Sequence, residues 1–396
     1  MYNQNIDSLT DYPFDRLRKL LQGLEPPNNL EVLSLSLGEP QHKPPNFVAE
    51  IIANSYGDWA KYPPVIGSHD LLEAISEWLN KRYALSSQFI DVDSNIVAVN
   101  GTKEALFMLG DLSISRHIER PCPAVLMPNP FYQVYLGSAI IRGAEPIYVA
   151  ALEENGFMPK FEALEKPTLD RTCLAYLCTP SNPEGSIASI KYLQKLVELA
   201  RKYNFILAVD ECYAEIYDKT PPPGILQVCQ EMGDGLDNIL SFHSLSKRSN
   251  VPGLRSGFVA GDSSLIEKLK TLRNYGGAAI PLPLLNASAA LWRDESHVEQ
   301  NRELYRKKFD LADKILGKKF SYCRPGGGFY LWLNVGNGEE AASRLWSEAA
   351  VKVMPGAYLS KPDNNNLNPG EKYIRVALVQ EPAFVSQSLS RMVNTL

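Results

Sequence analysis

Neither cysteine nor histidine is abundant in this chain. The six cysteines (Cys122, Cys173, Cys178, Cys212, Cys229 and Cys323) include no C-x-x-C pair, and the five histidines form no cluster beside them. No zinc site or dithiol redox motif is therefore indicated, no metal is expected, and most of the thiols are read as buried packing groups. Long hydrophobic runs are missing as well. No apolar stretch reaches the ~20 residues of a membrane-spanning helix, and the first residues show no basic segment leading into an apolar one. The expected setting is the cytoplasm, with no membrane partner. Charge of neither sign predominates, because the net charge of −5 comes from acidic and basic residues interspersed along the chain. Such a surface carries no electrostatic footprint for nucleic acid. Internal repeats are absent too, and the asparagine-rich stretch 362–370 reads as one exposed loop.

What is present is the composition of an ordinary globular protein, with 45% hydrophobic and 21% charged residues among 396. That length exceeds one compact core and suits two domains, and the charge balance points to small-molecule substrates. A helix over 13–21 and a short apolar segment ending in Leu37-Gly-Glu-Pro40 open the chain. Helices near 46–55 and 70–83 follow, and strands then alternate with helical stretches. The strands are expected at 95–100, 124–127, 146–149, 173–178, 205–209, 238–242 and 257–260. Nearly continuous apolar strands separated by helices imply a mostly parallel, doubly wound sheet covered on both faces. A long helical stretch over 284–316, broken near Asp294, leads to strands at 329–333, 351–354 and 373–378. The expected division is a large α/β domain over 46–284 and a smaller α+β domain made of 1–45 and 285–396.

Chemistry gathers at the ends of four of these strands, where doubly wound sheets bind ligands. Lys247 follows strand 238–242 between hydroxyl residues, and it precedes a Pro252-Gly253 turn with Arg255 beyond. A lysine so placed attacks a carbonyl once burial or a neighbouring cation removes its proton, as Schiff-base lysines do. Arg255 is that neighbour or a phosphate ligand; a solvated Ser/Lys/Arg loop is the plainer account. Asn100-Gly-Thr-Lys-Glu104 closes a strand and opens a helix, so the N–H groups around Gly101, Thr102 and Lys103 could receive a phosphate. Thr102 could equally be an ordinary N-cap. The loop Thr179-Pro-Ser-Asn-Pro-Glu-Gly185 presents Asn182 rigidly, or is a plain turn. Asp210, ahead of Glu-Cys-Tyr213, ends an apolar strand and needs a cationic partner if desolvated; an N-cap or a salt bridge is the alternative. Together, a phosphate cradle, a carboxylate for a pyridinium nitrogen, donors for a phenolate oxygen and a lysine for an aldehyde are the attachment points of pyridoxal 5′-phosphate.

This ordered set resembles the fold-type I aminotransferases of classes I and II, from about Tyr12 to the C-terminus. The resemblance implies that Lys247 binds the cofactor's aldehyde, that Asp210 pairs with its ring nitrogen, and that Tyr213 and Asn182 meet its 3′-oxygen. It further implies a phosphate site at Ser244, Arg255 and the Gly101-Thr102-Lys103 turn, a stacking ring at Tyr132, and a small packing group at Cys212. Tyr62, in Tyr62-Pro-Pro-Val-Ile-Gly67, matches the tyrosine that reaches a neighbouring subunit's phosphate, which implies a homodimer. Arg375 matches the arginine that grips the substrate α-carboxylate, with Gly38 and Asn182 beside it. A guanidinium suits that task because it meets both carboxylate oxygens. More narrowly, the run from Ser244 to Asp262 and the stretch Asn129-Pro-Phe-Tyr-Gln-Val-Tyr135 resemble the bacterial N-succinyldiaminopimelate aminotransferases of lysine biosynthesis. The glycine-rich turn Arg324-Pro-Gly-Gly-Gly328 follows the general class instead.

The implied reaction moves an amino group between N-succinyl-LL-2,6-diaminopimelate and 2-oxoglutarate. Aspartate, aromatic or N-acetylated substrates, and a C–S lyase acting on cystathionine or a related amino acid, share the cofactor residues and stay open. A transcription regulator would need a DNA-binding region for which the chain has no room. Arg248 and Lys103 are the cations at hand for the distal end of the substrate.

Overall fold

The computed structural model describes residues 2–9, 11–115, 122–363 and 365–396, so Asn364 of the expected 362–370 loop lies outside the described residues. In chain order the strands are β1 (Leu33–Ser34), β2 (Ile96–Val99), β3 (Ala124–Asn129), β4 (Glu145–Ala150), β5 (Thr172–Cys178), β6 (Ile206–Asp210), β7 (Ile239–Ser244), β8 (Gly257–Gly261), β9 (Tyr330–Asn334), β10 (Val351–Lys352), β11 (Met354–Pro355) and β12 (Tyr373–Ala377). Seven of them build one sheet in the order β2-β8-β7-β6-β5-β3-β4, parallel throughout except for β8. This is the mostly parallel, doubly wound sheet that the apolar runs imply. Every residue of β2, β3, β5, β6, β7 and β8 is buried, whereas the edge strand β4 is only half-buried.

Helices cover both faces. On one face Leu71, Ile75 and Trp78 of helix His69–Tyr83 pack with Leu193, Phe258 and Trp292; on the other, Leu106 and Leu109 of helix Thr102–Ser113 pack with Val125 and Ile266. Each such side chain contributes about 1.5–3 kcal/mol by leaving water, and the sheet is held chiefly by their sum. Helix His69–Tyr83 starts where Ser68 accepts from the Leu71 N–H at 3.3 Å, and it stops where Ala84 turns left-handed at φ 51°.

A second core, with Leu33, Leu331, Val376 and Leu389, lies between the antiparallel sheet β11-β12-β9, the β1-β10 pair and the helices Ser296–Leu316 and Pro382–Thr395. The strand expected over 351–354 is divided: β10 pairs with β1, and β11 pairs with β12. The break near Asp294 is present, since one helix ends at Arg293 and the next begins at Ser296. Helix Leu282–Arg293 packs against His69–Tyr83 and places Leu285, Leu291 and Trp292 in the larger core. Cys173, Cys178 and Cys229 are buried, Cys212 is half-buried, and Cys122 and Cys323 are exposed. Among the described residues no His/Cys/Asp/Glu group could hold a metal ion, and no helix is long and apolar enough to cross a membrane.

Candidate functional site

Because the parallel strands run one way, the ends of β2, β3, β5, β6 and β7 open on one edge of the sheet. The reversed β8 brings its start, and Arg255 before it, to that same edge. There a cavity of about 490 Å³ is closed on its other side by Tyr12, Gly38, Tyr330, Leu359 and Arg375.

Lys247 enters it from a four-residue helix, Leu245–Arg248, that follows β7 directly. The Ser244 hydroxyl accepts from the Ser246 N–H at 3.1 Å and so caps that turn. Lys247 Nζ donates to the Gly38 carbonyl at 2.7 Å and lies 5.3 Å from the centre of the Phe329 ring. Burial pulls its amine down to about 8; Arg375 and Arg255 add to that, against Cys212 and Glu39. Of the two causes the sequence allowed, burial is the larger and the cations assist.

Asp210 ends β6 and is 3% exposed. Its carboxylate accepts from the Tyr135 hydroxyl at 3.0 Å and from the Cys212 N–H at 3.3 Å. Among the described residues no cation lies within 4 Å of it, so neutral donors alone hold it. Burial raises its carboxyl above the ordinary value, with Cys212 and Tyr135 opposing. The Cys212 thiol is pushed well up, by burial first and by Asp210 next, which keeps it protonated and suits a packing role.

On the opposite wall Arg375, in β12, is 5% exposed. It donates from Nη1 to Asn182 Oδ1 at 3.0 Å and from Nη2 to the Ser36 carbonyl at 2.8 Å, and its guanidinium lies 4.5 Å over the Tyr330 ring. Tyr330 and Tyr213 bring their hydroxyls within 3.3 Å of each other. At the β2 end, Gly101 has φ +78°, and a Cβ there would stand 2.2 Å from Arg255 Nη2. Arg255 is held by bonds to the Asn100 and Pro252 carbonyls at 3.1 and 2.9 Å. The first N–H groups of helix Thr102–Ser113 have no partner within that helix and carry its positive dipole end toward the same corner.

The cavity thus gathers Gly38, Thr102, Lys103, Tyr132, Asn182, Asp210, Tyr213, Ser244, Lys247, Arg255 and Arg375 from the residues expected at a site, and Gly101 stands behind Arg255. Tyr62 is fully exposed and does not line the cavity of its own chain. Arg248 does not reach it either. This arginine is 2% exposed, donates to the Leu291 carbonyl at 2.6 Å and pairs with Glu295, so it is removed from the cations available to a substrate. Sequence reasoning assigned no role to Tyr135, Tyr330, Ser246 or the ring of Tyr12, all of which line the cavity. For Tyr135 a signal existed: it lies about one helical turn beyond Tyr132, on the same face.

Residues 31–381 match the family model described as aminotransferase class I and II. Among solved structures, an aminotransferase from Neisseria meningitidis superimposes with a TM-score of 0.95 and 38% identity, covering 99% of each chain. Aminotransferase AspB from Helicobacter pylori does so with a TM-score of 0.89 and 34% identity, covering 98% of each. The LL-diaminopimelate aminotransferase of Nitratidesulfovibrio vulgaris is 29% identical over 374 residues, 92% of either protein.

Proposed function

The chain belongs to the class I and II aminotransferases, and from that premise we propose that it exchanges an amino group between N-succinyl-LL-2,6-diaminopimelate and 2-oxoglutarate. The cofactor is pyridoxal 5′-phosphate, and two features of the cavity fit it. Asp210, buried among neutral donors, suits a protonated ring nitrogen. Gly101 leaves room for the Arg255 guanidinium beside a helix N-terminus, which suits a phosphate. Lys247 would hold the aldehyde, Tyr213 and Asn182 the 3′-oxygen, and Tyr132 the ring face; Ser244, Arg255 and the 101–103 turn would hold the phosphate. Bound there, the cofactor supplies an electron sink for the pair left behind when a substrate's α-proton departs.

The observation that carries the aminotransferase chemistry is that Lys247 and Arg375 share one cavity. Lys247 Nζ would be released from the aldehyde when the substrate's own amine takes its place, and, neutral for part of the time near physiological pH, would then remove the α-proton as a general base. Arg375 grips the α-carboxylate with N–H groups that Asn182 and Ser36 leave free, its plane fixed by Tyr330.

The substrate rests on the run from Lys247 to Asp262, on the relative named for LL-diaminopimelate, and on a second pair of cations. Arg16 and Lys361 line a cavity of about 400 Å³, on the same two segments that give Tyr12 and Leu359 to the main one. Arg16 stands about one helical turn, ~6 Å, from Tyr12; it is oriented by the Tyr358 ring at 4.0 Å and the Ala357 carbonyl at 3.3 Å. On this reading a long substrate would meet Arg375 with its α-carboxylate and this pair with its far carboxylate, and a short dicarboxylate would leave the pair unused. Free LL-diaminopimelate is the second reading, favoured by the same relative's name.

With glutamate as donor, kcat/KM is compared for N-succinyl-2-amino-6-ketopimelate, its acetylated analogue, the unsubstituted amino-keto acid and oxaloacetate. Losing one charged contact costs roughly 1.5–3 kcal/mol, so the succinylated compound should lead by about ten- to a hundredfold, and Arg16→Ala should erase most of that lead. A lead for the unsubstituted compound selects free diaminopimelate, a lead for oxaloacetate moves the protein to aspartate, and pyruvate with ammonia from cystathionine marks a lyase.

We further propose a cytoplasmic homodimer in which Tyr62 of the partner subunit completes each phosphate site. Within a protomer, residues 46–284 would serve as the cofactor-binding unit, and 1–45 with 285–396 as the smaller one.

A further inference from the structure

Lys308 is wholly enclosed, yet among the described residues no carboxylate lies within 4 Å of its amine. An enclosed amine without a counter-ion is costly, so its contacts matter. Lys308 Nζ stands 2.6 Å from His42 Nε2. Asn301 Oδ1 can only accept, so His42 Nδ1 carries the ring proton and donates to it at 2.7 Å, which leaves Nε2 of the neutral ring to accept from Lys308. Asn301 Oδ1 also takes the amide of Asn250 at 2.9 Å, and Asn301 Nδ2 reaches back to the carbonyls of Lys247 and Arg248 at 3.4 and 3.5 Å. The chain therefore runs from helix Ser296–Leu316 to the backbone of the lysine that enters the cavity.

It meets that lysine from a second direction. His42 follows closely on Gly38, whose carbonyl accepts Lys247 Nζ. A third path is a stack of rings: Tyr305 lies 4.8 Å from both His42 and Lys308 Nζ and stacks on Phe329 at 5.5 Å, and Phe329 lies beneath Lys247 Nζ. None of Lys308, His42, Asn301 or Tyr305 lines the cavity. Burial draws Lys308 down to about 7 and His42 below its ordinary value; Glu381 opposes both, and Lys308 adds to the effect on His42.

We propose that Lys308, His42 and Asn301 are positioning residues for Lys247: they hold its backbone turn and the Gly38–His42 segment at a fixed separation, so that Nζ moves between the Gly38 carbonyl and a substrate's α-carbon while the main chain stays still. The proposal rests on Lys247 being the catalytic lysine. Small displacements of a reacting group cost rate steeply, and loss of the chain should lower kcat by between about tenfold and a hundredfold while substrate KM stays within about twofold.

The test uses the full-length holoenzyme with Asn301→Leu, Lys308→Met and the milder His42→Gln. A second readout is taken on the same proteins freed of cofactor: the pH midpoint for arylation of Lys247 by trinitrobenzenesulfonate, followed by peptide mass. Expected are a loss in kcat without a matching change in KM, a midpoint moved toward that of an ordinary lysine, and partial recovery in His42→Gln relative to the other two. Variants that melt earlier but keep wild-type kcat and midpoint overturn the proposal, as does a loss confined to KM. If Asn301→Leu does not fold, the other two decide by the same readouts. Wild-type turnover in Lys247→Ala would instead strike the catalytic reading itself, which separates the two failures.

Discussion

A lysine amine drawn down to about 8 is partly neutral at physiological pH, where an ordinary lysine is almost wholly charged. The sign follows from the direction: the amine is protonated below about 8 and gains nucleophilicity as pH rises through that value. In the cofactor-free protein, arylation of Lys247 should reach half its maximum near pH 8, against ~10.4 for a free lysine, and a midpoint above pH 10 would show that the cavity does not depress it. If Asp210 pairs with the cofactor's ring nitrogen as proposed, Asp210→Ala should retain much of the cofactor affinity but lose on the order of 10²–10³ in half-reaction rate, because such a carboxylate would act where charge develops. Stopped-flow absorbance reads that rate, and near-normal values would make Asp210 a structural group. Lys247 and Asp210 stand out in the sequence because each follows an apolar run, although a solvated loop and an N-cap or salt bridge are plainer accounts of them, and Arg375, in the middle of its strand, is marked only by the resemblance. Tyr135 and Tyr330 are not legible there, because a tyrosine in an apolar stretch reads equally well as core. What distinguishes them is the group each hydroxyl meets, Asp210 and Tyr213, and that is fixed only by tertiary contact. Arg248 is the converse case: adjacent to Lys247 in the chain, it points about 100° away around the helix and is carried into the core.

Among elements, the joint between the two cores shows most plainly what holds the site together. Glu215, just beyond β6, takes Arg82 of helix His69–Tyr83 on one oxygen at 2.6 Å and Arg302 of helix Ser296–Leu316 on the other at 3.1 Å, and its carbonyl accepts from Arg302 Nε at 3.1 Å. All three side chains are buried or nearly so. Removing the shared carboxylate leaves two enclosed guanidinium groups without it, a loss of roughly 3–5 kcal/mol when a buried pair is broken. Glu215→Gln should therefore lower the urea midpoint markedly, while the folded protein still binds cofactor. A midpoint within error of the wild type would mean that water screens the cluster. Strand positions were readable because burial on both faces writes a continuous apolar run, as in β5 and β6. The partners of short strands were not: Val351 to Pro355 reads as one strand, with only Lys352 charged, yet its halves join different sheets, a choice made by β1 and β12. Nor could helical periodicity tell which core would take helix Leu282–Arg293. Periodicity marks an apolar face, and the neighbour that covers it belongs to the whole fold.

At the scale of the whole molecule, Tyr62 is fully exposed, and Tyr56, Trp59 and Tyr275 are exposed as well. Large aromatic side chains left in water are the material of protein–protein contacts. A closed two-fold dimer is the commonest assembly for such a surface. If Tyr62 of the partner subunit reaches the phosphate site, every site is built from two chains, and its parts can be removed on separate ones. A Lys247→Ala chain keeps Tyr62 but lacks the amine; a Tyr62→Ala chain keeps the amine but offers its partner no tyrosine. When the two are mixed, dissociated and reassociated, random pairing makes about half of the dimers mixed, each with one complete site of its two. Turnover at limiting cofactor should therefore rise from near zero for Lys247→Ala and a weakened value for Tyr62→Ala toward about a quarter of the wild type at equal subunit ratio, beyond the average of the parents. Sedimentation of the mixture at the dimer mass is the accompanying control. Activity that never exceeds that average, in a mixture shown to exchange subunits, would remove Tyr62 from the partner's site, and a fully active monomer would remove the dimer.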